Sequence, residues 1–322
     1  MTPADLSLTV LHAVRRAVDD GALRVEVPPT IKVERARPGG AGEYASNVAL
    51  TLARSAGRSA REVAGIIEER LRDAPGLRGV EITGPGFLNF VLRGDAGGGV
   101  VRRIRDAGSS YGHGAALAGT TVRFAEVTES RAVLVTEVVV GLLRSQGAEA
   151  GADGGDGERV YVHPGAYDVE RLGRDAARWA LLRAAPHDRP LDGAALLARH
   201  ERNALFRVQY AYSRVRRLLV NGEQLGVRPE WEVLVDAPAL LGLLGDHPAV
   251  LLAAARHRAP DRVARHLEAL ADALLAFQHT VLPLGDEKPS AAHRSRLALA
   301  EAAGTVLAGG LSVLGISAPD RT

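Results

Sequence analysis

The segment that decides the fold of the C-terminal half is NALFRVQYAYSRVRR, residues 203–217. It belongs to a region, from Val169 nearly to the end, in which apolar residues recur at helical spacing. Tyr210 and Arg214 are four positions apart and therefore share one helical face. We expect an all-helical bundle over residues 166–322, with an aromatic ring beside a guanidinium group on one of its helices.

The helices of this bundle should end at proline and glycine positions. The expected breaks are Pro186, Asn221-Gly222, Pro229, Pro248, Pro260, Pro283 and Pro289. The net charge of the chain is only +2, yet between residues 171 and 217 eleven arginines accompany four acidic residues. Such a stretch is either a phosphate-facing surface or a solvated face, and the residues alone favour neither.

The N-terminal third has the pattern of a small α+β domain. Helices are expected over residues 6–18, 45–55 and from Ser59, which forms a capping box with Glu62. Strands are expected over residues 25–27, 30–34, 80–82 and 87–92, the last two joined by Gly84-Pro85-Gly86, and residues 37–42 read as a loop. In the last strand, the simplest interpretation of Phe87 or Phe90 is packing into the core.

Between these regions lie one predicted strand, residues 121–125, and one apolar helix, residues 132–143, closed by Gly147. The glycine-rich residues 151–157 predict a loop or linker. The fold class is therefore α+β, and the predicted domains cover residues 1–112, 113–165 and 166–322.

Composition excludes several classes of site. The chain has no cysteine, which excludes disulfides and thiolate metal sites, and the spacing of its ten histidines matches no metal-binding motif. We recognise no apolar run of the roughly 20 residues that a membrane span needs, and no signal peptide. We expect a cytoplasmic protein without a metal, a cofactor or a membrane partner.

Five segments together resemble arginyl-tRNA synthetase. They are YASNVAL at 44–50, which follows Gly42-Glu43, GPGFLNF at 84–90, LGRDAARW at 172–179, the helix at 203–214 and LGISAPDR at 314–321. The resemblance implies the N-terminal add-on domain and the anticodon-binding domain of that family. Three positions depart from it: Arg207 replaces an aromatic residue, Tyr212 a histidine and the final Thr322 a methionine.

The family's catalytic signatures are not recognisable in the middle of the chain. Thr128-Glu129-Ser130-Arg131 stands where the family has a His-x-Gly-His motif, and no lysine occurs between Lys32 and Lys288. The chain is therefore expected to keep one strand and one helix of the nucleotide-binding domain, with no catalytic residues. The expectation that follows is a non-catalytic relative, not an enzyme.

The resemblance implies binding of tRNA or a tRNA-like RNA, and not of DNA. On the anticodon side the expected RNA contacts are Asn203, Arg207, Gln209, Tyr210 and Arg214. On the D-loop side they are Phe87, Asn89 and Phe90, where an exposed ring could stack on a base. The alternative is a protein-interaction or regulatory subunit, docked through the remnant strand and helix because that strand has lost its sheet neighbours.

Overall fold

The computed structural model describes residues 3–36, 44–92, 96–152 and 155–320. The loop predicted at residues 37–42, Glu43 and the last two residues of the chain lie outside these ranges. The chain divides into two compact units, Met1–Val100 and Val101–Thr322. The fold class is as expected: a small α+β unit is followed by a unit dominated by helices.

The first unit contains a four-stranded antiparallel sheet in the order β1-β2-β4-β3. Helices α1 and α2 both pack against α3. Its elements are α1 (Pro3–Asp19), β1 (Glu34–Arg35), β2 (Tyr44–Ser46), α2 (Val48–Ala56), α3 (Ala60–Leu71), β3 (Leu77–Thr83) and β4 (Phe87–Leu92). Strand β4 lies between β2 and β3, so it is hydrogen-bonded on both sides.

The capping box and the glycine turn are confirmed. The Ser59 hydroxyl accepts from the Glu62 backbone N–H at 3.2 Å, and the Glu62 carboxylate accepts from the Ser59 N–H at 2.8 Å. In the turn between β3 and β4, Gly86 has φ +136°, and a Cβ there would lie 2.7 Å from the backbone of Ala60. Only glycine fits this turn.

Two expectations for the first unit are wrong. Residues 25–33 form no strand, and strand pairing begins only at Glu34. Pro28-Pro29 offer no backbone N–H groups, so this segment lacks donors for a ladder. Residues 45 and 46 belong to β2, so the helix expected from residue 45 begins at Val48.

The second unit begins within helix α4 and ends with a helical bundle. Its elements are α4 (Ala96–Ala107), β5 (Thr121–Phe124), α5 (Ser130–Ser145), β6 (Glu149–Ala152), α6 (Val169–Leu172), α7 (Arg174–Arg183), α8 (Ala204–Gln224), α9 (Pro238–His257), α10 (Asp261–Phe277) and α11 (Ala291–Val313). Helices α8 to α11 pack on one another, and α5 and α7 pack against them. The domain bounds predicted from the sequence stay predictions.

The middle of the chain holds more of a sheet than expected. Gly151 and Ala152, predicted as loop, belong to β6, which pairs in parallel with β5 across helix α5. On the side of β5 that faces away from β6, Phe124 forms a bridge with Glu158. The expectation of a single strand without neighbours is wrong, and the argument that this strand needs a protein partner to cover it loses its basis.

Two predicted helix breaks are also wrong. Pro248 lies inside α9, where it cannot donate to the carbonyl of Leu244. The hydroxyl of Tyr111 donates to that carbonyl instead, at 3.0 Å. Gly222 lies inside α8, and its lack of a side chain allows α11 to approach closely: a Cβ would be 2.7 Å from Leu297 Cδ2.

Helices α9 and α11 are long and apolar enough to cross a membrane by length and composition alone. Both pack against other helices of the bundle, and a buried core helix passes the same test. Their apolar residues form much of the core of the second unit, among them Leu244, Leu251, Leu299 and Leu307.

Candidate nucleic-acid interface

Helix α8 carries the candidate interface and begins at a capped N-terminus. The Asn203 side-chain oxygen accepts from the Phe206 N–H at 3.2 Å. Its side-chain nitrogen donates to the carbonyls of Leu196 and Ala198, at 2.7 and 2.9 Å. The side chain is buried and its hydrogen-bonding groups are used. The expected RNA contact by Asn203 is therefore corrected: it caps the helix and ties down the preceding loop.

One face of α8 opens onto a groove of about 550 Å³, here called the α8 groove. It is lined by Tyr210, Ser213, Arg214, Arg216, Arg217, Val220 and Asp320. The Tyr210 ring stacks on Phe206 with 5.7 Å between the ring centroids, which holds the ring in place. Of the five predicted anticodon-side residues, the structure brings Tyr210 and Arg214 together in this groove, as their spacing indicated.

Donors remain available in the α8 groove. Arg214 uses Nε to donate to the Gln278 side chain at 2.9 Å, and this is its one hydrogen bond among the described residues. Arg217 is exposed and makes no hydrogen bond or ion pair within the described part of the chain. A groove with an aromatic ring and free guanidinium groups can hold an unstacked base and a phosphate.

Gln209 and Arg207 point elsewhere. Gln209 donates to the Asp175 carboxylate and the Ser317 carbonyl, at 3.0 and 3.1 Å. It lines a second groove, of about 540 Å³, which Asn203 also lines. Arg207 forms an ion pair with Asp272 at 2.9 Å and lines neither groove. These contacts hold α8 to its neighbours, and an RNA contact by either residue stays a prediction.

The tail of the chain lies along α8. The Ser213 hydroxyl donates to the Pro319 carbonyl at 2.9 Å, and Arg216 donates to the Asp320 carboxylate at 2.9 Å. Sequence reasoning missed Arg216, Arg217 and Asp320 as lining residues. Arg217 stands seven positions after Tyr210, a spacing that keeps it on the same face and could have revealed it.

In the first unit, the three predicted D-loop contacts differ in their exposure to solvent. Phe87 is 41% exposed, whereas Phe90 is fully buried and Asn89 is nearly so. The Asn89 amide donates to the Thr83 hydroxyl at 2.8 Å and the Glu81 carbonyl at 3.3 Å, both in β3. The predictions for Phe90 and Asn89 are corrected: a central strand buries them, and Phe87 alone can reach a base.

The N-terminus of α5, where the family signature was expected, is occupied by side chains of the chain itself. The Glu129 carboxylate accepts from the N–H groups of Ala132 and Gly165, at 2.7 and 2.9 Å. Partial burial raises the pKa of Glu129, but these hydrogen bonds outweigh it and hold the pKa below its usual value. Glu129 thus caps this helix internally.

Arg131, two residues on, is fully buried, and all its hydrogen bonds to the described residues go to backbone carbonyls. Its acceptors, at 2.7–2.9 Å, are the carbonyls of His163, Leu181, Ala184, Ala185 and Asp188. Burial lowers its pKa, although nearby carboxylates, Glu129 first, oppose that shift. Arg131 fastens α5 to the C-terminal end of α7, where the helix dipole favours a cation.

The described residues contain no group of three or more histidine, aspartate or glutamate side chains that could hold a metal. Two histidines nevertheless lie together in the bundle core. His247 and His266 have ring centroids 5.3 Å apart, and Tyr111 stacks on His247. Burial lowers the pKa of His247 to about 3 and that of His266 to about 4. Both are neutral at pH 7.

Both ends of the chain match known domain families. Residues 8–92 match the arginyl tRNA synthetase N terminal domain, and residues 208–321 match the DALR anticodon binding domain. The chain contains these two synthetase domains. The DALR match covers nearly all of α8, the whole α8 groove and the described tail, so the groove lies in an anticodon-binding domain.

Similar whole proteins are arginine–tRNA ligases. The chain is 39% identical to that of Frankia alni over 203 residues, 60% of this chain and 35% of the relative. It is 38% identical to that of Micrococcus luteus over 168 residues, 48% of this chain and 30% of the relative. The chain therefore spans about a third of the length of these relatives.

Two solved structures share the fold at low identity. The arginyl-tRNA synthetase of Thermus thermophilus superposes with a TM-score of 0.74 at 12% identity, covering all of both chains. That of Plasmodium falciparum gives 0.65 at 9% identity, covering 99% of each chain. At these identities the likeness establishes the fold alone.

The expectation that the chain is not an enzyme is wrong. The relatives it matches are named as ordinary arginine–tRNA ligases, which are enzymes, and nothing in the matches indicates a loss of activity. The expectation rested on signatures missing from a chain that spans only a third of those relatives. Missing signatures in such a chain do not determine whether it takes part in catalysis.

Proposed function

We propose that this chain binds tRNA through the α8 groove of its DALR domain. The observation that carries the proposal is the grouping of Tyr210, Arg214 and Arg217 on one open face of α8, within a domain whose family binds anticodons. The relatives' names as arginine–tRNA ligases further support tRNA as the RNA. Phe87, exposed in the N-terminal synthetase domain, is proposed as a second, weaker contact.

The groove offers two kinds of contact. The Tyr210 ring, already supported by Phe206, provides a platform on which an unstacked loop base can stack. The free donors of Arg214 lie in the same groove and reach the edge of that base, while exposed Arg217 meets the backbone phosphate. The phosphate contacts make the affinity fall with salt.

Equilibrium binding of deacylated tRNA, measured from about 50 to 200 mM salt, tests the proposal. Replacing Tyr210 by Ala should weaken binding by about 5- to 150-fold, because stacking on one aromatic is worth roughly 1–3 kcal/mol. The matched control is Tyr161→Ala, since Tyr161 is 83% exposed in the same unit but lines neither groove.

Two results would contradict this function. The first is the absence of tRNA binding at low salt, which would favour a protein partner for this face. The second is equal affinity for Tyr210→Ala and Tyr161→Ala, which would leave the α8 groove without a role in RNA binding.

A further inference from the structure

The tail residue Asp320 contacts two hydrogen-bond donors, Arg216 and Tyr212, which were not among the predicted RNA contacts. Arg216 Nε donates to Asp320 Oδ1 at 2.9 Å, and the Tyr212 hydroxyl makes a longer contact with the same oxygen, at 3.5 Å. Two donors from one face of α8 thus converge on a single anionic oxygen. This is the arrangement of a small anion site, filled here by the chain's own carboxylate.

The tail is anchored so that Asp320 reaches this position. The Ser317 N–H and hydroxyl both donate to the Asp175 carboxylate, at the start of α7. The Pro319 carbonyl accepts from Ser213 at 2.9 Å. These contacts fix the segment that leads to Asp320, and Asp320 lines the α8 groove with Arg216 and Arg217.

The ion pair itself is exposed and easily exchanged. The Arg216 and Asp320 side chains are 49% and 68% exposed, and surface ion pairs of this kind contribute little to stability. A phosphate oxygen can accept from the same two donors, and it brings the charge of an RNA backbone that is already held by the rest of the groove.

We propose that Arg216, which lines the α8 groove, forms a backbone-phosphate subsite with Tyr212 at the edge of that groove. The Asp320 carboxylate occupies this subsite in the free protein and yields it to tRNA. This inference rests on the proposed tRNA binding. In the free protein Asp320 neutralises Arg216, and binding exchanges that carboxylate for a phosphate. The phosphate loses its counterion, the freed carboxylate takes up a cation, and this contact gives no net release of counterions.

The test compares tRNA binding by the wild type and by Asp320→Asn over the same salt series. The variant should bind about two- to fivefold more tightly at low salt, which corresponds to removing one exposed ion-pair competitor. Its plot of log affinity against log salt should be steeper by about 0.7, the value for one more phosphate contact on a single strand. Asp320→Glu should behave as the wild type.

Two further variants distinguish a specific phosphate subsite from a general effect of removing one negative charge. Glu232→Gln removes a carboxylate from an exposed arginine pair, Glu232–Arg294, in the same unit but outside the groove, and should leave the salt slope unchanged. When Arg216→Gln is already present, adding Asp320→Asn should not tighten tRNA binding relative to Arg216→Gln alone.

The outcomes distinguish the two proposals. Failure of the wild type to bind tRNA would overturn the tRNA proposal itself and the subsite with it. Wild-type binding with an unchanged affinity and slope in Asp320→Asn, or a change equal to that of Glu232→Gln, would overturn the phosphate subsite alone.

Discussion

Helix α8 and strand β4 were both expected to present residues to RNA, and only the helix leaves more than one of them on an open surface. On α8, Tyr210 and Arg214 open into one groove. On β4, Phe87 is exposed while Asn89 and Phe90 are buried. A helix on the surface of a bundle keeps one stripe in solvent, so residues four apart stay together.

A strand hydrogen-bonded on both sides offers less. Phe87 and Asn89 share a face of β4, but Asn89 stands between Ala45 of β2 and Glu81 of β3. Phe87, at the end of the strand, has a partner only in β3. Phe90 points into the hydrophobic core, and the Asn89 amide is held down on β3 by Thr83 and Glu81, so only Phe87 of the three remains on the surface.

The largest expected effect is a loss of stability on substitution in β4, which tests the difference between its buried and exposed rings. Phe90→Ala should lower the free energy of unfolding by about 3–5 kcal/mol, because it leaves a cavity in the core. Phe87→Ala should change stability little and weaken tRNA binding modestly. Chemical denaturation followed by circular dichroism, with tRNA binding on the folded protein, checks both. Equal stability losses for the two variants would contradict the assignment of inner and outer rings.

Mild acid should distinguish the two units, since buried histidines occur in the second. His247 and His266 have pKa values lowered to about 3 and about 4, so the unfolded chain binds more protons than the folded one below pH 6.5. Stability from this pair is complete above that pH and is lost as the pH falls towards 4.

The loss should be of order 1 kcal/mol for each histidine per pH unit. Both tryptophans, Trp179 and Trp231, lie in the second unit, so tryptophan fluorescence during denaturation at pH 7, 6 and 5 follows that unit. His247→Gln should reduce the dependence, and the exposed His12→Gln serves as the control. A pH-independent midpoint between pH 7 and 5 would contradict neutral, buried rings.

A smaller effect is expected from the cap of α8. Asn203→Ala should cost about 1 kcal/mol of stability or more, because the helix loses its N-cap and the carbonyls of Leu196 and Ala198 lose their donor. Asn203→Asp should not restore it, since a carboxylate keeps the cap but cannot donate to those carbonyls. Neither should alter the tRNA affinity of the folded protein, since the side chain is buried away from the α8 groove. A drop in affinity with unchanged stability would restore Asn203 as an RNA contact.

Local chemistry made several features predictable. The capping box at Ser59 and the face shared by Tyr210 and Arg214 depend on residues within one turn of each other, and both were read correctly. Strand β6 was missed because its four residues, two alanines, a glutamate and a glycine, have low strand propensity; pairing with β5 overrides that preference. The helix through Pro248 was missed because Tyr111, distant in sequence, satisfies the carbonyl that the proline leaves free.

By itself, then, the sequence determined the α+β class, the helical bundle and the two synthetase domains, because these depend on periodicity, caps and motifs that are local in the chain. Tertiary structure alone decided which residues remain on the surface. It buried Asn89 and Arg131, laid Asp320 across α8 and left Tyr210 and Arg217 open. Burial depends on what distant segments cover, and the spacing of residues along one segment does not record it.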